Sequence, residues 1–187
     1  MLLGMQFEEK VTSTEQIYKG KILSLERQNV ETPDGQTAQR EIIHHVPAIA
    51  LLMITDDHQM ILEQQWRAPV HKVTLEIPAG KLDDRDNGDI RHAAQREMNE
   101  ETRMKAHTLL KVASTLSSPG FTDEKITLFY ATGLTKVEHQ LPQDQDENIH
   151  LITVTLDEAL LMIQEGQIDD MKTVMAIYYW AQKEKRV

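Results

Sequence analysis

The pattern of residues 89–104 predicts a helix whose acidic residues lie among its apolar ones. This segment constrains the possible folds of the chain more than any other. Apolar residues recur on one face when successive side chains are placed about 100° apart around a helix axis. Glu97 and Glu101 fall within that apolar stripe, and Glu100 lies at its margin. An ordinary surface helix would place its acids with the polar residues. We therefore expect two carboxylates, one helical turn apart, to point toward the core.

Buried carboxylates require a cationic partner, because an unpaired carboxylate loses several kcal/mol of hydration when it leaves water. A divalent metal ion would supply the positive charge. Ligands made only of oxygen suit a hard ion such as Mg²⁺, which keeps several waters and often binds substrate phosphate as well. The alternative is a solvated acidic face on a helix whose phase differs from the one assumed here.

The same residues resemble the signature of the Nudix hydrolases, G-x5-E-x7-R-E-U-x-E-E-x-G-U, in which U is apolar. The core R-E-U-x-E-E is matched in full from Arg96 to Glu101, and Gly80 matches the first glycine. The family places a strand, a loop and this helix around a divalent metal and a diphosphate. The resemblance implies an α/β fold of the α+β kind, a Nudix-type α/β/α sandwich with a mixed sheet.

Two positions depart from the signature. Gly80 and Arg96 are two residues further apart than the pattern requires, so the first glutamate is replaced by Asp86 counting forward or by Gly88 counting back. Arg103 stands in place of the closing glycine, which predicts a different helix exit because a left-handed helix terminus suits glycine best.

Composition and charge exclude several classes of protein. The 187 residues are 27% charged and 40% hydrophobic, as in globular proteins, and the formal net charge is −10. Nucleic acids and anionic membranes require a basic surface, so we expect neither as a partner. The chain has no cysteine, which excludes disulfides and thiolate metal sites. Because no apolar run reaches membrane-spanning length and no signal peptide is visible, we expect a cytoplasmic protein.

Two domains are predicted. Residues 1–46 form a small β subdomain, with strands at 22–30 and 39–45 joined by a turn at 32–35, where Pro33 and Gly35 favour the turn geometry. A lone hairpin is marginal in water, so it must pack on the rest of the chain or on a second copy.

Residues 47–187 form the Nudix hydrolase domain, with strands and helices that fit a mixed sheet flanked by helices. The predicted strands are 48–54, 60–66, 73–78, 108–116, 125–131 and 149–154, and the further helices are 155–166 and 170–183.

Three stretches, 64–69, 75–80 and 118–124, are similar to the bacterial ADP-ribose pyrophosphatase branch of this family. The resemblance implies Mg²⁺-dependent hydrolysis of ADP-ribose to AMP and ribose 5-phosphate, with Mn²⁺ as a possible substitute ion. It also implies a homodimer whose N-terminal strands pair and complete the substrate site. The alternatives are a hydrolase of another nucleoside diphosphate derivative, such as a nucleotide sugar or a dinucleotide, and a non-catalytic ADP-ribose sensor.

The resemblance also implies roles for individual residues. The metal ligands would be the carbonyl of Ala79 with Glu97, Glu100 and Glu101. Glu97 and Glu101 also count as catalytic, together with Glu124 as the general base. If the family resemblance is set aside, the sequence favours a solvated acid in a turn and a functional residue equally for Glu124.

Four further residues would bind substrate, namely Arg67, Glu76, Arg40 and Gly120. Arg67 suits a phosphate because a guanidinium presents a planar fork of donors. The alternatives are a surface charge at a strand end for Arg67 and an ion pair between strands for Glu76.

Overall fold

The computed structural model describes residues 7–143 and 148–184. The described strands are β1 (Lys10–Lys19), β2 (Leu23–Glu31), β3 (Thr37–His45), β4 (Ala48–Met53), β5 (Met60–Arg67), β6 (Lys72–Glu76), β7 (Ala79–Lys81), β8 (Met104–Leu116), β9 (Lys125–Lys136) and β10 (His150–Val154). The helices are α1 (Ile90–Thr102), α2 (Leu156–Gln164) and α3 (Met171–Glu184). The predicted mixed α/β class is confirmed.

The chain divides into two compact units. The first unit is Met1–Pro47 with Thr115–Ile126, and the second unit is Ala48–Ser114 with Thr127–Val187. The division predicted from sequence, 1–46 and 47–187, concerns domains and stays a prediction. The segment 115–126 is an addition to the first unit that the sequence did not indicate.

The first unit is built on a three-stranded antiparallel sheet in the order β1-β2-β3. The predicted hairpin corresponds to β2 and β3, and Gly35 in the turn between them has a φ of 81°. Strand β1 was not predicted from sequence. All ten of its residues are exposed, so it lacks the alternation of apolar and polar residues that identifies a half-buried strand.

The second unit contains two further sheets, in the orders β10-β5-β6 and β7-β4-β9-β8. Strand β4 lies in its core, since every residue from Ile49 to Met53 is fully buried. Ile49, Leu51 and Met53 pack in one cluster with Ala94 and Met98 of α1, and α3 also contacts β4. Because α1 also contacts β7, this core fixes the helix against the strand that ends in Gly80 and Lys81.

Helix α1 begins after Asp89, whose side chain accepts from the backbone N–H groups of Arg91 and His92. The helix ends at Thr102, and the expectation that Arg103 imposes a different exit is wrong. Arg103 itself takes the left-handed conformation, with φ 61° and ψ 26°. Its guanidinium donates to the carbonyl of Leu141, which offsets part of the cost of that conformation in a residue with a Cβ.

Helix α2 starts in the predicted capping box. The Thr155 side chain accepts from the N–H of Glu158, and the Glu158 carboxylate accepts from the N–H of Thr155. In the described part of the chain, no helix is long and apolar enough to cross a membrane.

Candidate active site

The three glutamates of α1 are buried. Glu97, Glu100 and Glu101 are 8%, 5% and 8% exposed, in the same helix whose Ala93, Ala94 and Met98 join the apolar core. The predicted helix phase is therefore confirmed, and the alternative of a solvated acidic face is wrong. Acids at such positions require partners, because a buried charge without one is strongly unfavourable.

Arg96 is a shared partner of these acids. Its guanidinium donates to Glu97 Oε1 at 2.8 Å and to Glu100 Oε2 at 2.7 Å from one nitrogen. Its other nitrogens donate to Asp86 at 3.0 and 2.9 Å, and to the carbonyl of Lys81 at 3.0 Å. Burial would lower the pKa of Arg96, but the carboxylates raise it above its usual range, so the side chain is a permanent cation. Arg96 thus organises the acids rather than facing solvent.

Asp86 is fixed as a counter-ion of Arg96. The residue is 1% exposed and lies in a short 3-10 helix, where it also contacts His92 Nδ1 at 2.8 Å and accepts from the N–H of Asp83 at 3.0 Å. The Arg96 guanidinium holds the pKa of this carboxyl well below its usual range. Both oxygens of Asp86 therefore already have hydrogen-bond partners.

Gly80 is required by the position of Glu97. A Cβ built at Gly80 would overlap the carboxylate of Glu97, so only glycine allows the helix acid to lie directly against the backbone of β7. Ala79 precedes it, and its carbonyl is a predicted metal ligand. Strand β7 is itself held by pairing with β4, where Gly80 lies opposite Ile49 and Ala79 opposite Ala50.

The chemistry of these donors fits a hard divalent cation. The carboxylates of Glu97 and Glu101 and the carbonyl of Ala79 are oxygen ligands, which Mg²⁺, Mn²⁺ and Ca²⁺ prefer. In residues 7–143 and 148–184, no three acidic or histidine side chains already converge as a metal site. Glu100 accepts from Arg96 at one oxygen and from Arg85 at the other, at 2.8 Å. To bind a metal ion, as predicted, Glu100 would have to give up its hydrogen bond to one of these two arginines.

A second polar cluster surrounds Glu76. Arg67 donates to both of its carboxylate oxygens, at 2.6 and 2.8 Å, and Thr74 donates to one of them at 2.6 Å. Lys172 of α3 contacts the other oxygen. Burial would raise the pKa of Glu76, but Arg67 and Lys172 lower it to about 2. The structure thus shows the ion pair between strands that the sequence left open, while substrate contacts by Arg67 and Glu76 stay predictions.

Lys172 belongs to the cluster around Glu76, and the sequence analysis assigned it no role. It lies in the first turn of α3, where the Asp170 carboxylate accepts from Lys172 Nζ at 3.0 Å and from the N–H of Thr173 at 3.0 Å. The buried Thr173 hydroxyl accepts from the N–H of Ile77 at 2.9 Å. The start of α3 is therefore fastened to the end of β6, just before Ala79.

The other two predicted substrate residues line one groove in the first unit. Arg40 and Gly120 both border a cavity of about 640 Å³, together with Phe121. The guanidinium of Arg40 is held by Glu9, with Nε 2.9 Å from Oε2. Phe121 is 52% exposed, so the groove contains an aromatic surface beside a cation.

Glu124 belongs to the first unit, where it contacts His45 with Oε1 3.3 Å from Nδ1. Its predicted role as general base stays a prediction. The structure thus groups Arg40, Gly120 and Glu124 in the first unit, and it groups the remaining predicted site residues in the second unit: Arg67, Glu76, Ala79, Glu97, Glu100 and Glu101.

Two protein-family models together match nearly the whole chain. Residues 44–175 match the NUDIX domain, and residues 9–43 match the nucleoside diphosphate sugar hydrolase N-terminal domain. A solved structure described as an ADP compounds hydrolase superposes with a TM-score of 0.85 over 99% of this chain and 100% of that one. Its sequence identity is 18%, so it supports the fold alone.

Two relatives are similar over 95% of both chains. The methanol dehydrogenase activator of Bacillus methanolicus is 44% identical over 177 residues, and the ADP-ribose pyrophosphatase of Bacillus subtilis (strain 168) is 38% identical over 177 residues. An ADP-ribose pyrophosphatase of Mycobacterium tuberculosis is 29% identical over 157 residues, covering 83% of this chain and 75% of that one.

Proposed function

The chain belongs to the Nudix hydrolase family, and on that basis we propose that it hydrolyses the diphosphate of ADP-ribose to AMP and ribose 5-phosphate with Mg²⁺. The observation that carries the proposal is the buried set of acids on α1, with Glu97 against Gly80 and all three glutamates of the R-E-U-x-E-E core present. The choice of substrate is supported by similarity to ADP-ribose pyrophosphatases of two bacteria, over 95% and 83% of this chain.

Nudix hydrolases generally use divalent metal ions, and we assign the ion here to Glu97, Glu101 and the carbonyl of Ala79, with Glu100 as an additional ligand. The chemistry that such an ion supplies is neutralisation of phosphate charge and activation of water. Arg96 holds two of the helix acids in place, because it donates to Glu97 and Glu100 at once.

In the proposed reaction, water attacks one phosphorus and the bond from that phosphorus to the bridging oxygen breaks. Glu124 takes the proton of the attacking water, which is the work of a general base. Arg67 contributes a guanidinium to the diphosphate, with Glu76 toward the ribose, and Arg40 and Gly120 bind the adenosine half from their groove. To bind the diphosphate, the Arg67 guanidinium would have to give up one of its hydrogen bonds to Glu76. Lys172 contacts the same carboxylate oxygen, Oε2, and would keep it paired.

We also propose that the chain is a homodimer. Strand β1 is an edge of its sheet, and it exposes Val11, Ile17 and Tyr18 at 48%, 46% and 57%. An exposed edge strand with apolar side chains favours pairing with another strand. A second β1 is the occupant that this proposal names. Light scattering on the purified protein should give twice the monomer mass of 21.5 kDa, and a monomer would contradict it.

A second candidate substrate class is a nucleotide sugar or a dinucleotide. Residues 9–43 match the N-terminal domain described for nucleoside diphosphate sugar hydrolases. This match favours a nucleotide sugar among the alternative substrates. The sensor alternative is less favoured, because Glu97, Glu100, Glu101 and Glu124 are all retained. The similarity to a methanol dehydrogenase activator adds a further role to test, namely activation of a methanol dehydrogenase.

A substrate panel separates these candidates. AMP release is measured from ADP-ribose, ADP-glucose, NADH and FAD, with Mg²⁺ and with EDTA. The proposal predicts that ADP-ribose is preferred and that EDTA stops the reaction. Preference for ADP-glucose or a dinucleotide would keep the metal helix and replace the substrate. Tight binding of ADP-ribose by calorimetry with no hydrolysis of any compound would favour the sensor.

A further inference from the structure

The segment 118–124 lies along the open edge of β3 in the first unit. Ile43 N–H donates to the carbonyl of Phe121 at 2.8 Å, and Asp123 N–H donates to the carbonyl of Ile43 at 3.3 Å. Ile43 and Thr122 also form a parallel bridge. The loop that ends in Glu124 is therefore attached to the sheet like a short additional strand.

Side chains reinforce this attachment at one histidine. His44 Nδ1 lies 2.6 Å from Asp123 Oδ2, and His44 Nε2 lies 3.2 Å from Glu26 Oε1. The other oxygen of Asp123 accepts from the N–H of His45 at 3.0 Å. An ionised carboxylate only accepts hydrogen bonds, so both ring nitrogens of His44 must carry a proton to satisfy both partners. This geometry selects the imidazolium form.

We infer that His44 is a positioning residue for the proposed hydrolysis, because its imidazolium clamps segment 118–124 to β3 and thereby fixes the place of Glu124. Asp123 is the immediate neighbour of Glu124, and the following histidine, His45, contacts Glu124 itself. The inference rests on the proposed function, since Glu124 has a task to be positioned for only if the chain is a hydrolase. A mobile carboxylate would transfer a proton less efficiently, because general bases act only within hydrogen-bond reach.

The clamp responds to pH near neutrality. The charged and titratable groups that face His44 are Asp123 and Glu26, with His45 and Glu124 adjacent. Asp123 and then Glu26 raise the pKa of His44 above its usual value of 6.5, against a smaller effect of burial. Because the folded-state pKa is raised, the clamp is complete below pH 6.5 and is lost as pH rises through the raised pKa. His44 and Asp123 are 42% and 53% exposed, so the ion pair is weak enough to release.

The test compares His44→Gln with His150→Gln, which makes the same substitution at an exposed strand histidine of the second unit. Hydrogen exchange of the amides in 118–124 is followed by mass spectrometry from pH 6 to pH 9 and corrected for intrinsic rates. The wild type and His150→Gln should lose protection of this segment as pH rises. His44→Gln should be unprotected throughout. Asp123→Asn is the second variant, and it should move the loss of protection to lower pH.

Turnover of ADP-ribose is measured on the same proteins. We expect His44→Gln to lower kcat at pH 6.5 by up to about 100-fold, the scale of a misplaced catalytic group. The variant should also lack the alkaline decline in kcat that we expect from His44 titration in the wild type. Unchanged protection in His44→Gln would overturn the clamp. Lost protection with a wild-type kcat profile would overturn the positioning role. Absence of wild-type turnover would overturn the proposed function and the positioning role with it, while exchange would still decide whether the clamp exists.

Discussion

Replacing Arg96 with methionine should destabilise the second unit more than any other single change of charge on α1. The side chain is 5% exposed and donates to Asp86, Glu97 and Glu100, whose own side chains are 0%, 11% and 6% exposed. Methionine fills a similar volume but leaves these acids without that cation. Removing one partner of a buried ion pair costs about 3–5 kcal/mol, because the remaining charge stays buried.

The expected loss is large relative to total stability. The free energy of unfolding of a domain is about 5–15 kcal/mol. For a chain of this size, a loss of 1 kcal/mol lowers the melting temperature by about 2–4 °C. We therefore expect the melting temperature of Arg96→Met to fall by roughly 6–20 °C. Urea unfolding followed by fluorescence of Trp180, which is 1% exposed in the second unit, measures the free energy directly. Arg91→Met is the control, since Arg91 is an exposed residue of the same helix.

The direction in which the free energy of unfolding changes with pH follows from the pKa of Asp86. The pKa of Asp86 is lowered from 3.8 in the folded state, so in the wild type this carboxyl adds stability above pH 3.8 and loses it as pH falls through its folded value. In Arg96→Met the Asp86 carboxyl has lost this cation and takes up a proton more readily, so the difference from the wild type should shrink between pH 7 and pH 4. A loss below about 1 kcal/mol at pH 7, equal to that of Arg91→Met, would refute the reasoning.

Two further predictions concern the close contacts of the site. Gly80→Ala should lower turnover of ADP-ribose while the fold is kept by circular dichroism, because its Cβ displaces the carboxylate of Glu97; an unchanged rate would show that Glu97 need not lie there. Lys172→Met should cost about 1.5–3 kcal/mol of unfolding free energy at pH 7, as expected for a lost hydrogen bond to a charged group. Since the pKa of Glu76 is lowered from 4.5 to about 2, the wild type has this stabilisation above pH 4.5 and loses it as pH falls through 2, so the difference should disappear in acid.

The burial of the α1 acids could be predicted from sequence because it depends only on helical periodicity. Glu97 and Glu101 fall in the apolar stripe whatever surrounds the helix, and the core cluster confirms that phase. The capping box at Thr155 was predictable for the same reason, since it is a contact within one turn. Local spacing determines such features without reference to the rest of the fold.

Contacts between distant segments were not predictable in this way. The pairing of Lys172 with Glu76 and that of His44 with Asp123 depend on how α3 and the 118–124 loop are brought against other strands. The role of Asp86 depends on a 3-10 helix in the lengthened loop, which turns its carboxylate toward Arg96. A signature with fixed spacing has no position for such a turn.

Arg103 shows a different limit. A positive φ is uncommon outside glycine, so the sequence favoured a changed helix exit. The Arg103 guanidinium donates to the carbonyl of Leu141, 38 residues further along the chain, and to the carbonyl of Asn99 in the same helix. These bonds stabilise the conformation that the local preference disfavours. Strand β1 was missed for the opposite reason, since nothing in its fully exposed sequence distinguishes it from a polar loop.

The measurement that tests the central claim most directly is the rate of AMP formation from ADP-ribose by Glu101→Gln at saturating Mg²⁺. Glu165→Gln, an exposed acid just after α2, is the control. The account predicts that Glu101→Gln keeps the wild-type fold and loses at least about 100-fold in kcat, the scale of removing one preorganised charged group, while Glu165→Gln is unaffected. A near-normal rate for Glu101→Gln would contradict the assignment of the metal, and with it the proposed chemistry, to α1.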